Sequence, residues 1–110
     1  MTDAERFRAA HFSACEYMCD LLTRCSQVSL RAHWDELSEE DRRVAESIGP
    51  EDLERHRAAC TRACQGSELS VRQVEAIRAC VSGMPVEGDP SAARCEQYVA
   101  CLDAAQPASR

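Results

Sequence analysis

Apolar residues recur at three- to four-residue spacing along most of this chain, and nowhere alternate with polar ones. That pattern predicts helices throughout. Phe7, Ala14, Met18, Leu21 and Cys25 form one stripe, widened by Phe12, Cys15, Cys19 and Leu22. A stripe this broad predicts the central helix of a bundle, over about residues 3–25, capped by Thr2 or Asp3. Residues 26–34, Ser-Gln-Val-Ser-Leu-Arg-Ala-His-Trp, predict a connection. Leu37, Val44 and Ile48 mark a narrower amphipathic helix over 35–48, stopped by Gly49-Pro50. A third helix is predicted over 51–65, with Glu51, Asp52 and Glu54 in its first turn and Gly66 at its end. Ser70 caps a fourth over 70–82, carrying Val71, Val74, Ile77 and Val81. Gly83, Pro85, Gly88 and Pro90 predict a loop. Ser91 or Asp89 caps the last helix, over 91–104, with Cys95, Tyr98, Val99 and Leu102. Residues 105–110 are expected to form a flexible tail.

The fold class that follows is all-α, a disulfide-stapled bundle of four to five short helices in a single domain over residues 1–104. Aromatic residues are few, so Ala, Leu, Val and cysteine must fill a modest interior that cross-links would help. Every basic side chain is arginine, which fits a GC-rich coding bias. The net charge of −6 argues against a nucleic-acid or anionic-membrane partner. No apolar run approaches the ~20 residues of a membrane span.

Eight cysteines change the picture most: Cys15, Cys19, Cys25, Cys60, Cys64, Cys80, Cys95 and Cys101. Cys15/Cys19 and Cys60/Cys64 are spaced i, i+4, so each pair points to one side of its helix. Two such pairs on neighbouring helices can form two adjacent bridges. Antiparallel helices pair Cys15 with Cys64 and Cys19 with Cys60; parallel helices pair Cys15 with Cys60 and Cys19 with Cys64. Cys95 and Cys101 are about 240° apart around a helix and need separate partners. Cys80 and Cys95 flank the 83–90 loop, which favours Cys80–Cys95 and leaves Cys25–Cys101.

The same residues admit a ligand reading. His11 and His56 each precede a Cys-x3-Cys pair by four residues. His11, Cys15, Cys19, His56, Cys60 and Cys64 could supply a Zn or Cu(I) site in a cytosolic protein. The helices must then be parallel, because an antiparallel pair places the histidines roughly 18 Å apart along the axis. Otherwise both are partly exposed helix residues, no cofactor is needed, and the cysteines are staples. A redox role finds no thiol-activating motif beyond the neighbouring Arg24, Arg62 and Arg94.

The full spacing, Cys-x3-Cys-x5-Cys, then Cys-x3-Cys, a lone Cys, and Cys-x5-Cys, is similar to small Cys-rich helical domains of bacterial secreted proteins and lipoproteins. That resemblance implies an extracytoplasmic, disulfide-bonded bundle with no assigned activity. The opening Met-Thr-Asp-Ala-Glu-Arg lacks the basic and apolar regions of a signal peptide. The compartment expected from cysteine content is nonetheless periplasmic or secreted. No Cys-x2-Cys, Gly-rich phosphate loop, His-Glu-x2-His or nucleophile elbow is present. Glu39, Glu40 and Asp41 read as a solvated face, and His33-Trp34-Asp35 as a helix cap with Trp34 packed on the bundle. The expected function is therefore a non-enzymatic binding or structural module, with an unidentified protein or small ligand as partner.

Overall fold

The structure is a computed structural model that describes residues 1–105. It contains five α-helices: α1 (Asp3–Ala32), α2 (Glu39–Glu46), α3 (Pro50–Gln65), α4 (Val71–Ser82) and α5 (Ala92–Ala105). A short 3-10 turn, Trp34–Glu36, lies between α1 and α2. There is no strand among the described residues. The expected tail begins at Ala105, which is the last residue of α5; 106–110 lie outside the described residues.

Helix α1 is the hub, touching α3, α4 and α5. Its start is the predicted one. The Thr2 hydroxyl accepts from the Glu5 amide, and the Glu5 carboxylate accepts from the Thr2 amide. Its end is not. The helix runs to Ala32 through the segment 26–34 that was expected to connect. Serines there suggest a turn because their hydroxyls compete for backbone groups. Here Ser26 Oγ donates to the Thr23 carbonyl at 2.7 Å within the helix. Val28, 8% exposed, continues the Leu21–Cys25 stripe by one more turn. Val28 is buried there, so tertiary contact outweighs the local preference.

The second helix, in contrast, is shorter than expected. Trp34 is half-buried in the 3-10 turn rather than capping a helix, and Ser38 caps α2 by accepting from the Asp41 amide. The Arg42 guanidinium donates to the carbonyls of Trp34 and Asp35, which ties turn to helix. α2 buries no side chain, and Val44 is 58% exposed. Pro50 opens α3, with the Asp52 carboxylate accepting from the Gly49 amide. Ser70 and Gln73 form a reciprocal cap on α4. Ser91 accepts from the Arg94 amide at the start of α5.

The apolar core lies between α1, α4 and α5: Ala14, Leu21, Cys25 and Val28 meet Val74, Ile77 and Cys80, and Cys95, Tyr98 and Leu102. Three expected core residues are outside it, since Phe12 is 39%, Val71 57% and Val99 43% exposed. The 83–91 loop folds back onto the bundle. Pro90 is buried, Gly88 takes a left-handed φ of 75°, and its carbonyl accepts from Arg24 at 2.8 Å. Arg24 also pairs with Asp20 at 3.1 Å, so one guanidinium joins loop and hub.

Tyr98 is the largest fully buried side chain. Its hydroxyl donates to the Met18 carbonyl at 3.3 Å. Burial pushes its pKa well above the ordinary tyrosine value. The neutral form is therefore favoured on folding. The contribution is complete below the unfolded pKa of about 10 and declines as pH rises above it. Tyr98→Phe should lower stability by about 1 kcal/mol at neutral pH. It should also flatten the fall of the melting temperature above pH 10, as measured by circular dichroism across an alkaline series.

Candidate functional site

All eight cysteines are in disulfides: Cys15–Cys64, Cys19–Cys60, Cys25–Cys95 and Cys80–Cys101. The Cα–Cα distances, 5.4 to 5.8 Å, lie in the usual range for a bridge. Cys15–Cys64 and Cys19–Cys60 form a two-rung ladder between antiparallel α1 and α3, one of the two orders the spacing allowed. The other two expected bridges are corrected. Cys25 pairs with Cys95, not Cys101, and Cys80 pairs with Cys101, not Cys95.

The reason is the facing of α5. Cys95, Tyr98 and Leu102 make its buried stripe, turned toward α1, where Cys25 belongs to the buried stripe as well. Cys101 sits on another flank, facing α4 beside Ala79, Cys80 and Met84. Proximity across the loop suggested Cys80–Cys95. The folded-back loop instead sets α4 and α5 in a register that brings Cys101 to Cys80. The signal was present in the sequence, because the i, i+3, i+7 stripe of α5 contains Cys95 and excludes Cys101.

The six-residue metal set is not assembled. With α1 and α3 antiparallel, His11 and His56 stand at opposite ends of the ladder, roughly 18 Å apart along the axis. The four sulfurs between them are bonded to one another, so they are not the thiolates that Zn or Cu(I) takes. The expectation that both histidines are partly exposed holds for His56, which is exposed, and fails for His11, which is 7% exposed. The Cys64 carbonyl can only accept, so His11 Nε2 donates to it, at 3.0 Å. The ring also lies 6.2 Å from that of Phe7 and 5.5 Å from that of Phe12. A ring nitrogen of His11 and the sulfurs of Cys15 and Cys64 lie within 4.8 Å of one another.

A cleft opens beside this end of the ladder. Its volume is about 490 Å³. Met18 and Leu22 of α1, Ile77 of α4, and Val99 and Leu102 of α5 supply its apolar wall, together with Leu69. Cys64 and Ser67 line it at the end of α3, and Glu68, Gln73 and Asp103 add polar groups. Such a wall with a few convergent polar groups is the usual composition of a ligand pocket. Another groove of similar volume, between Tyr17 of α1 and Glu75, Arg78 and Ser82 of α4, has fewer apolar side chains. Sequence reasoning assigned Met18, Leu22 and Val99 to the core and missed the cleft. The breadth of the α1 stripe was the available clue, because α4 and α5 do not cover all of it.

No known family model, curated protein or solved structure matches the chain.

Proposed function

We propose that the chain is a non-enzymatic binding module of an oxidising, extracytoplasmic compartment, and that its ligand is a small apolar or amphipathic group seated in the cleft between α1, α4 and α5. One observation carries the reading: an apolar cleft framed by helices that four disulfides hold in place. Cross-linked walls lose little conformational entropy when a ligand enters, which favours binding over rearrangement. Complete pairing of the cysteines supports a compartment where disulfides persist, as does the resemblance in cysteine spacing to secreted and lipoprotein domains. Exposed Glu68 and Asp103 at the rim favour a neutral or basic ligand over an anion.

A neutral solvatochromic dye, Nile red, serves as the probe. The folded chain should bind it with enhanced, blue-shifted emission. Val99 is 43% exposed and lines the cleft, so Val99→Arg fills it without disturbing the core. That variant should melt like the parent and bind about tenfold more weakly, a loss of about 1.4 kcal/mol. Equal dye affinity in the two proteins would place the ligand elsewhere.

A further inference from the structure

The four bridges differ in how open they are to attack. In Cys25–Cys95 both residues are buried, at 3% and 1% exposure. In each of the others a buried cysteine is bonded to a half-buried one: Cys15 to Cys64, Cys19 to Cys60, and Cys80 to Cys101. Exchange with an external thiol needs access to one sulfur and a stabilised departure for the other. Among the described residues, Cys15–Cys64 is the bridge with a histidine ring nitrogen within 4.8 Å of both sulfurs. Cys64 also lines the apolar cleft, which gives a thiol a route to it.

We propose that Cys64 is a thiol-exchange site: an external thiol attacks its sulfur, Cys15 is the leaving group, and the His11 imidazole delivers the proton with which Cys15 leaves as a thiol. The step balances without a further oxidant or reductant. The incoming thiolate attacks Cys64 Sγ and forms a mixed disulfide. The electron pair of the old bond leaves on Cys15 Sγ. The proton lost by the incoming thiol ends on that sulfur, and the His11 ring is placed to relay it. Nε2 already carries hydrogen toward the Cys64 carbonyl, so Nδ1 is the nitrogen free to take the proton. A second thiol attacking the mixed disulfide would release the oxidised pair and leave Cys64 as a thiol. The Cys19–Cys60 rung, one helical turn away, keeps α3 attached throughout. This proposal stands apart from the cleft's non-covalent ligand, because exchange can occur whether or not Nile red binds.

Cysteamine, a small basic thiol, is the probe. The folded, oxidised chain is exposed to it at neutral pH, quenched with acid and mapped by mass spectrometry. The Cys64 adduct should form about tenfold faster than adducts at Cys60 or Cys101, whose bridges lack the imidazole. Adducts appearing first at Cys60 or Cys101 would overturn the proposal. His11→Gln keeps a donor for the Cys64 carbonyl but has no ring base. In that variant the ratio of Cys64 to Cys60 adduct should fall by about tenfold or more. An unchanged ratio removes His11 from the step. If His11→Gln does not fold, the order of adducts in the parent chain still decides the assignment.

Discussion

Replacing Cys15, Cys19, Cys60 and Cys64 together by alanine is expected to release α3 while leaving the rest of the chain folded. α3 contributes no fully buried side chain, and none of its residues belongs to the apolar core. Its covalent hold on α1 is the sulfur ladder. Beyond the bridges, α1 and α3 share the His11–Cys64 contact and a hydrogen bond from Gln65 to the Phe12 carbonyl. A helix of 16 residues is marginal alone in water. Its Asp52–Arg55 and Glu54–Arg57 pairs are solvent-facing and screened, so they add little. Hydrogen exchange read by mass spectrometry should therefore show the amides of 51–65 losing nearly all protection. Those of α1 around Leu21, and of α4 and α5, should remain slow. Uniform loss of protection would mean that α3 is integral to the core. Unchanged protection in α3 would mean that apolar contact, not sulfur, holds it.

Removing the Cys25–Cys95 bridge should act in the opposite way, globally instead of locally. Both residues lie in the apolar core, and the bridge spans 70 residues of sequence. The chain-entropy argument gives about 4 kcal/mol for a loop of that order, reduced where other bridges already shorten it. Small domains hold only about 5–15 kcal/mol in total. Cys25→Ala with Cys95→Ala should thus lower the denaturation midpoint sharply in a single cooperative transition. Exchange should rise in α1, α4 and α5 together. A shift under about 1 kcal/mol would show that core packing alone positions α5 on α1.

The contrast between these two variants also shows which parts of the fold were legible in the sequence. The starts of α1, α4 and α5 were readable because caps are local: Thr2, Ser70 and Ser91 each accept from the amide three residues on. The end of α1 was not, because Ser26 and Ser29 look like turn residues until Val28 is seen to be buried. The ladder was readable to within one choice, helix direction, since i, i+4 spacing fixes which sulfurs share a face. The crossing of Cys25 to Cys95 and Cys80 to Cys101 was missed because loop proximity was given more weight than facing on α5. The buried His11 and the cleft were hidden for a common reason. Each depends on how far neighbouring helices cover α1, a property of packing that no single helix displays.

The central claim is that all eight cysteines are staples with this connectivity, and a non-reducing peptide map tests it most directly. The protein is denatured, treated with an alkylating agent, and digested with trypsin and a glutamyl endopeptidase. Cleavage after Arg24 and Arg62 separates Cys19 from Cys25 and Cys60 from Cys64. Cleavage after Glu16 and Glu96 separates Cys15 from Cys19 and Cys95 from Cys101. The account predicts no alkylated cysteine and four linked peptide pairs, Cys15–Cys64, Cys19–Cys60, Cys25–Cys95 and Cys80–Cys101. Alkylated cysteines in the ladder, or peptides joining Cys25 to Cys101 and Cys80 to Cys95, would contradict it.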